Sequence, residues 1–229
     1  MKTIGLIGGT TWHSTIDYYR VLNQMTNNRL GGLNSARMLL YSVNFEEFRP
    51  PVDPKEWGGV RENLIAISKK LETAGAECLM LGANTMHLVA DDIQKEIQIP
   101  LIHIADATAK EIAKHNISKV GLLGTKITME QEFFKARLLK NNIETLIPDY
   151  ADREVIHASI FDELGKGIFS AEMKRKYLEI IDKMRSRGAG GIIFGCTEIP
   201  MLLKPEDCDF PAFDTTLIHA AAAVDFSTA

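Results

Sequence analysis

Gly75-Ala76-Glu77-Cys78-Leu79-Met80-Leu81-Gly82-Ala83-Asn84-Thr85 aligns without a gap on Gly188-Ala189-Gly190-Gly191-Ile192-Ile193-Phe194-Gly195-Cys196-Thr197-Glu198. Each stretch reads Gly-Ala, two variable residues, three apolar residues, a glycine, a small residue and then polar groups. A short apolar run closed by glycine and small residues reads as a buried strand that ends in a loop. Working outward, Ile4-Gly5-Leu6-Ile7-Gly8 matches Val120-Gly121-Leu122-Leu123-Gly124, and Pro100-Leu101-Ile102-His103 matches Pro211-Ala212-Phe213-Asp214. Three matches in one order and at nearly equal offsets predict an internal duplication.

Further apolar runs at 3–7, 36–43, 78–81, 101–104, 119–123, 144–147, 191–194 and 212–213 read as strands. Amphipathic stretches at 14–28, 56–74, 129–141 and 171–186 read as helices between them. Strand–helix alternation with continuous apolar strands predicts an α/β fold with parallel sheets. The duplication predicts two similar Rossmann-like parallel-sheet domains related by a pseudo-twofold, with the active site in the cleft between them. The expected boundaries are 1–99 plus 211–229 for an N-terminal domain and 100–210 for a C-terminal one. The proline-rich segment at 50–54 reads as a loop.

Composition sets the outer limits. The chain has 229 residues, with 45% hydrophobic and 24% charged, ordinary values for a globular protein and unlike those of a disordered or collagenous chain. Thirty acidic against 26 basic residues leave −4, which gives no pull towards nucleic acid or an anionic membrane. Three cysteines, Cys78, Cys196 and Cys208, make neither a disulfide framework nor a metal-binding pair. The six histidines show no metal-ligand spacing, so no metal is expected. No signal-peptide pattern opens the chain, and no uncharged apolar stretch reaches the roughly 18 residues of a membrane span. The expected compartment is a reducing cytoplasm.

In open parallel sheets, ligands bind beyond the carboxyl ends of the strands. Those ends carry Gly8-Gly9-Thr10, Ala83-Asn84-Thr85, Gly124-Thr125 and Cys196-Thr197-Glu198. Free cysteines are mostly small buried hydrophobes. Cys78 lies inside a strand and Cys208 in a polar loop, which leaves Cys196 as the thiol at a strand terminus. A helix start after it is expected to lower the thiol pKa. Gly9 and Thr10 are expected to offer backbone amides to a carboxylate, although a tight turn is the plainer reading. Asn84, Thr85, Thr125, Thr128 and Thr197 supply neutral donors suited to a carboxylate ligand; each is also a common turn or cap residue. His87 reads as a proton relay or a structural hydrogen-bonding group. Nucleic-acid binding has no support in charge or motif.

The anchors Ile4-Gly5-Leu6-Ile7-Gly8-Gly9, Gly82-Ala83-Asn84-Thr85-Met86-His87 and Gly195-Cys196-Thr197-Glu198-Ile199-Pro200 resemble the aspartate/glutamate racemase family, within the wider aspartate/glutamate/hydantoin racemase superfamily. The resemblance covers essentially the whole chain. The stretches at 12–20 and 103–108 resemble the bacterial branch of broad-specificity and L-amino-acid members. It implies a cofactor-independent amino-acid racemase in which two cysteines act on opposite faces of the substrate α-carbon. The family's second cysteine falls on Cys196. Its first falls on Ala83, the same position that the internal repeat pairs with Cys196. Alanine has no proton to move, so this chain departs from the two-thiol pattern. Water, or His87 acting through it, is then the expected source for the second face. Such a single-thiol site also fits one-sided exchange of the α-proton and resembles the arylmalonate-type decarboxylases of the superfamily, and a third reading is an amino-acid binding protein without turnover. The resemblance further implies that Arg49 and Lys166 meet a side-chain carboxylate, that Glu198 meets the substrate ammonium or orients Cys196, and that the chain is a homodimer.

Overall fold

In the computed structural model, which describes residues 1–51 and 53–229, the first apolar run forms the fully buried strand β1 (Ile4–Gly8). It is followed by α1 (Trp12–Leu30), β2 (Met38–Ser42), α2 (Gly58–Thr73), β3 (Cys78–Leu81) and α3 (Ala90–Glu96). The strands form a parallel sheet in the order β2-β1-β3, and a parallel bridge from Leu101 to Leu79 extends it beyond β3. Then come α4 (Ile104–Ala113), β4 (Lys119–Gly124), α5 (Lys126–Glu130), α6 (Glu132–Leu139), β5 (Glu144–Leu146), α7 (Tyr150–Asp162), α8 (Ala171–Ser186), β6 (Ile192–Gly195), α9 (Ile199–Leu202), β7 (Ala212–Asp214) and α10 (Thr215–Thr228). Here the parallel order is β5-β4-β6-β7. The sheets therefore share one plan: β1 corresponds to β4, β2 to β5, β3 to β6, and the Leu101 bridge to β7.

The chain divides into two compact units, Met1–His103 with His219–Ala229, and Ile104–Ile218. This moves the boundaries expected at 99/100 and 210/211. Leu101 stays with the first unit because it bridges to Leu79. The segment 211–218 joins the second because β7 pairs with β6, through Ile192–Ala212 and Phe194–Asp214.

Local chemistry sets the element ends. Thr11, in extended conformation, starts α1 by accepting the Ser14 N–H at 3.4 Å. Ser170 starts α8 by accepting the Met173 N–H at 3.0 Å, which fixes the helix at the boundaries its pattern predicts. The helix expected over 129–141 is two helices, because Gln131 is extended and interrupts the winding. The strand expected at 101–104 is reduced to the single Leu101 bridge, since Ile104 already opens α4. The loop expected at 50–54 includes Val52, which lies outside the described residues.

Each unit has its own core. Ile4, Leu6, Tyr18, Leu22, Met80 and Val224 pack in the first; Leu123, Tyr177, Ile180, Phe194 and Ile199 pack in the second. Full burial of each such side chain contributes about 1.5–3 kcal/mol. Among the described residues, no helix is long and apolar enough to cross a membrane.

Candidate active site

Gly124 and Gly195 are register partners on β4 and β6, so Thr125 and Cys196 leave the second sheet side by side. The approach is close: a Cβ on Gly195 would lie 2.6 Å from the Leu123 carbonyl oxygen, so glycine is required there. Cys196 is buried, and its thiol donates to Glu198 Oε2 at 2.9 Å. The Thr197 hydroxyl donates to the same oxygen at 2.9 Å. Glu198 is only 3% exposed and makes no side-chain cap on α9. Glu198 Oε2 thus accepts from both the thiol and the hydroxyl beside it.

The depressed thiol pKa expected from a following helix is not found. Burial pushes the Cys196 thiol well above its usual value, and the Glu198 carboxylate adds to this by its charge and by accepting the S–H. α9 has only four residues, too short for a strong dipole to counter a neighbouring carboxylate. The resting group is a thiol with its proton aimed at a base.

Beside it, Thr125 caps α5 by accepting the Thr128 N–H at 3.3 Å, and the two hydroxyls lie 3.2 Å apart. Both threonines are buried at the strand end. Lys166 ends the 3-10 turn Leu164–Lys166, which packs on α9, and its side chain is exposed.

In the first unit the corresponding strand ends are those of β1 and β3. Gly82 donates its N–H to the Ile7 carbonyl at 2.7 Å, which sets Ala83 at the end of β3. Gly9 has φ +85°, and a Cβ there would fall 2.1 Å from the Val43 carbonyl oxygen. Its amide is not an anion donor, contrary to expectation, because it donates to Thr15 Oγ1 at 2.7 Å. The Thr10 hydroxyl is buried without a protein partner. Asn84 is buried and Thr85 half-buried where the 3-10 helix Thr85–Val89 begins, and Asn84 makes no side-chain cap. His87 lies within that 3-10 helix, with Nδ1 2.9 Å from the Ala83 carbonyl oxygen. Arg49 is exposed, beyond the turn that follows β2.

Sequence reasoning missed the surroundings of His87. Its ring meets those of His103 and His219 edge-on, and Tyr18 hydrogen-bonds to His219 across 201 residues of sequence. No local pattern signals such a pairing. Cys78 is buried within β3 and Cys208 is half-buried; burial raises both thiols, to about 12 and about 11. Among the described residues, no group of three or more His, Cys, Asp or Glu side chains is placed to hold a metal ion.

A family model described as Asp/Glu/Hydantoin racemase matches residues 7–223. The broad specificity amino-acid racemase RacX of Bacillus subtilis (strain 168) is 27% identical over 231 residues, covering 96% of each chain. A candidate Asp/Glu racemase from Yersinia pestis has a similar crystal structure, with TM-score 0.92, 47% identity and full coverage of both chains. An aspartate racemase homologue from Pyrococcus horikoshii OT3 follows at TM-score 0.86 and 38% identity, again over both whole chains. With nearly the entire chain matched and both sheets built on one plan, the protein belongs to the Asp/Glu/hydantoin racemase family.

Proposed function

We propose that the chain is a cofactor-independent racemase of aspartate or glutamate, with the Cys196 thiol as the proton-transfer group at the α-carbon. One observation carries this reading: a buried thiol at the end of β6 donates its proton to a buried carboxylate, Glu198, at 2.9 Å. When Glu198 takes that proton, the Cys196 sulfur becomes a thiolate able to accept the α-proton of one enantiomer. The C–H electron pair then spreads into the substrate carboxylate. Neutral donors in a dry site stabilise that charge, the role given to Thr125 here and to Asn84 and Thr85 in the first unit, while the Thr197 hydroxyl stays on Glu198. In the reverse direction the S–H returns its proton to the same face. Two-way racemisation needs a second acid and base. Ala83 supplies none, so the other proton comes through water, relayed by His87. Arg49 and Lys166 are assigned to the side-chain carboxylate, and the Thr10 hydroxyl to the ligand. A second copy of the chain is the expected partner and the cytoplasm the expected compartment.

The test is incubation of the purified protein with each enantiomer of aspartate and of glutamate, followed by chiral chromatography. Formation of the opposite enantiomer supports the reading. Ala83 favours one other reading, a single-thiol decarboxylase. Release of CO2 from an arylmalonate, with no inversion of any of the four amino acids, would establish that instead.

A further inference from the structure

His87 is held from two sides. Its ring centroid lies 4.7 Å from that of His103 and 5.4 Å from that of His219, both edge-on. These flanking rings are tied to each other through the backbone. His219 Nε2 lies 2.7 Å from the carbonyl oxygen of Ile102, the residue before His103. A carbonyl only accepts, so Nε2 carries the His219 proton and Nδ1 is the acceptor. The Tyr18 hydroxyl then donates to Nδ1 at 2.9 Å. By the same rule the His87 proton sits on Nδ1, facing the Ala83 carbonyl, and Nε2 is its basic nitrogen.

The network is deeply buried: Tyr18 and His219 are 0% exposed, His87 1% and His103 6%. Its members come from α1, from α10, from the 3-10 helix after β3 and from the segment before α4. Burial pushes the His219 imidazole down to about 4, so the ring stays uncharged at neutral pH and its tautomer is set by its two partners. Buried hydrogen bonds in a close-packed interior fix side-chain geometry.

We propose that Tyr18 and His219 are positioning residues. They hold the His87 ring against His103, so that its Nδ1–H remains on the Ala83 carbonyl and its Nε2 keeps a single direction. The inference rests on the racemase reading, in which His87 relays the proton for the face that lacks a thiol.

The experiment uses the full-length protein with Tyr18→Phe and, separately, His219→Gln, which keeps a donor for the Ile102 carbonyl. Two readouts are taken: kcat and KM for racemisation, and the 15N spectrum of the imidazoles. For Tyr18→Phe, kcat is expected to fall about tenfold, with KM changed less than about twofold, because a small misplacement of a reacting group acts on the chemical step. The His87 nitrogens are expected to shift from a pure Nδ1–H pattern towards an averaged one. His219→Gln should produce the same direction with a smaller loss. An unchanged His87 pattern in both variants would overturn the inference, as would a loss of rate that merely tracks the folded fraction. Absence of racemisation by the unaltered protein would instead defeat the functional reading, and the imidazole spectrum would still decide the clamp.

Discussion

At the end of β3 the chain reads Gly82-Ala83-Asn84-Thr85, and at the end of β6 it reads Gly195-Cys196-Thr197-Glu198. The backbone is built alike at both. Each glycine lies against a neighbouring strand carbonyl, with a built Cβ 2.9 Å from Ile7 O in one case and 2.6 Å from Leu123 O in the other. The chemistry is not alike. The β6 end holds a thiol, a carboxylate and a hydroxyl in mutual hydrogen bonds. The β3 end holds a methyl group, backed by buried imidazole rings. A duplicated fold preserves the platform, because packing constrains glycine against carbonyl. It leaves the residue beyond the glycine open to change, a methyl group at Ala83 and a thiol at Cys196.

The largest expected effect removes the equipped end. Cys196→Ser should lower α-proton exchange by about a thousandfold or more, since an alcohol is a far weaker acid than a thiol and Glu198 cannot deprotonate it usefully. Deuterium incorporation at the α-carbon measures this directly.

The second effect concerns the rings behind the other end. The folded pKa of His219, about 4, lies below the usual 6.5, so the folded state favours the neutral ring. Its contribution to stability is present above pH 6.5 and is lost as pH falls towards 4, because the unfolded chain then binds the proton more readily. The loss is on the order of 3 kcal/mol. Denaturant unfolding across that range should show it, and His219→Gln should flatten the curve.

Glu198→Gln comes third, with an expected drop in kcat of about a hundredfold as the base for the thiol is removed. The same change should lower the Cys196 pKa, because the carboxylate's charge and its hydrogen bond both raise it. Thiolate absorbance against pH should show the Cys196 step moving down.

The smallest effect sharpens the comparison from the poorer end. Ala83→Cys supplies the missing thiol, and should raise exchange on the slower enantiomer by about tenfold, as expected for one added acid–base group without a tuned partner. No gain would mean that the β3 end has lost more than its sulfur.

The sheets were legible in the sequence because buried parallel strands are continuous apolar runs, and glycines mark where they end. The repeat also aligns position 83 with Cys196, each directly after the glycine at the end of a buried strand. What escaped were features made by tertiary contacts. The residence of 211–218 in the second unit depends on β7 choosing β6 as a neighbour. The raised thiol of Cys196 depends on its burial and on where the Glu198 carboxylate turns, neither of which a spacing rule encodes. The Gly9 amide looked available from its place after β1, yet the hydroxyl of Thr15, six residues on, folds back to take it. The histidine clamp joins residues from both ends of the chain, and its members are unremarkable one at a time.

The central claim is that Cys196 moves the α-proton of an acidic amino acid. Proton NMR in D2O of L- and D-aspartate and L- and D-glutamate, with the unaltered protein and with Cys196→Ser, tests it most directly. The account predicts that the α-proton signal of at least one enantiomer disappears with the unaltered protein, that the opposite enantiomer forms, and that Cys196→Ser abolishes both. Exchange that persists unchanged in Cys196→Ser, or no exchange with any of the four amino acids, would contradict it.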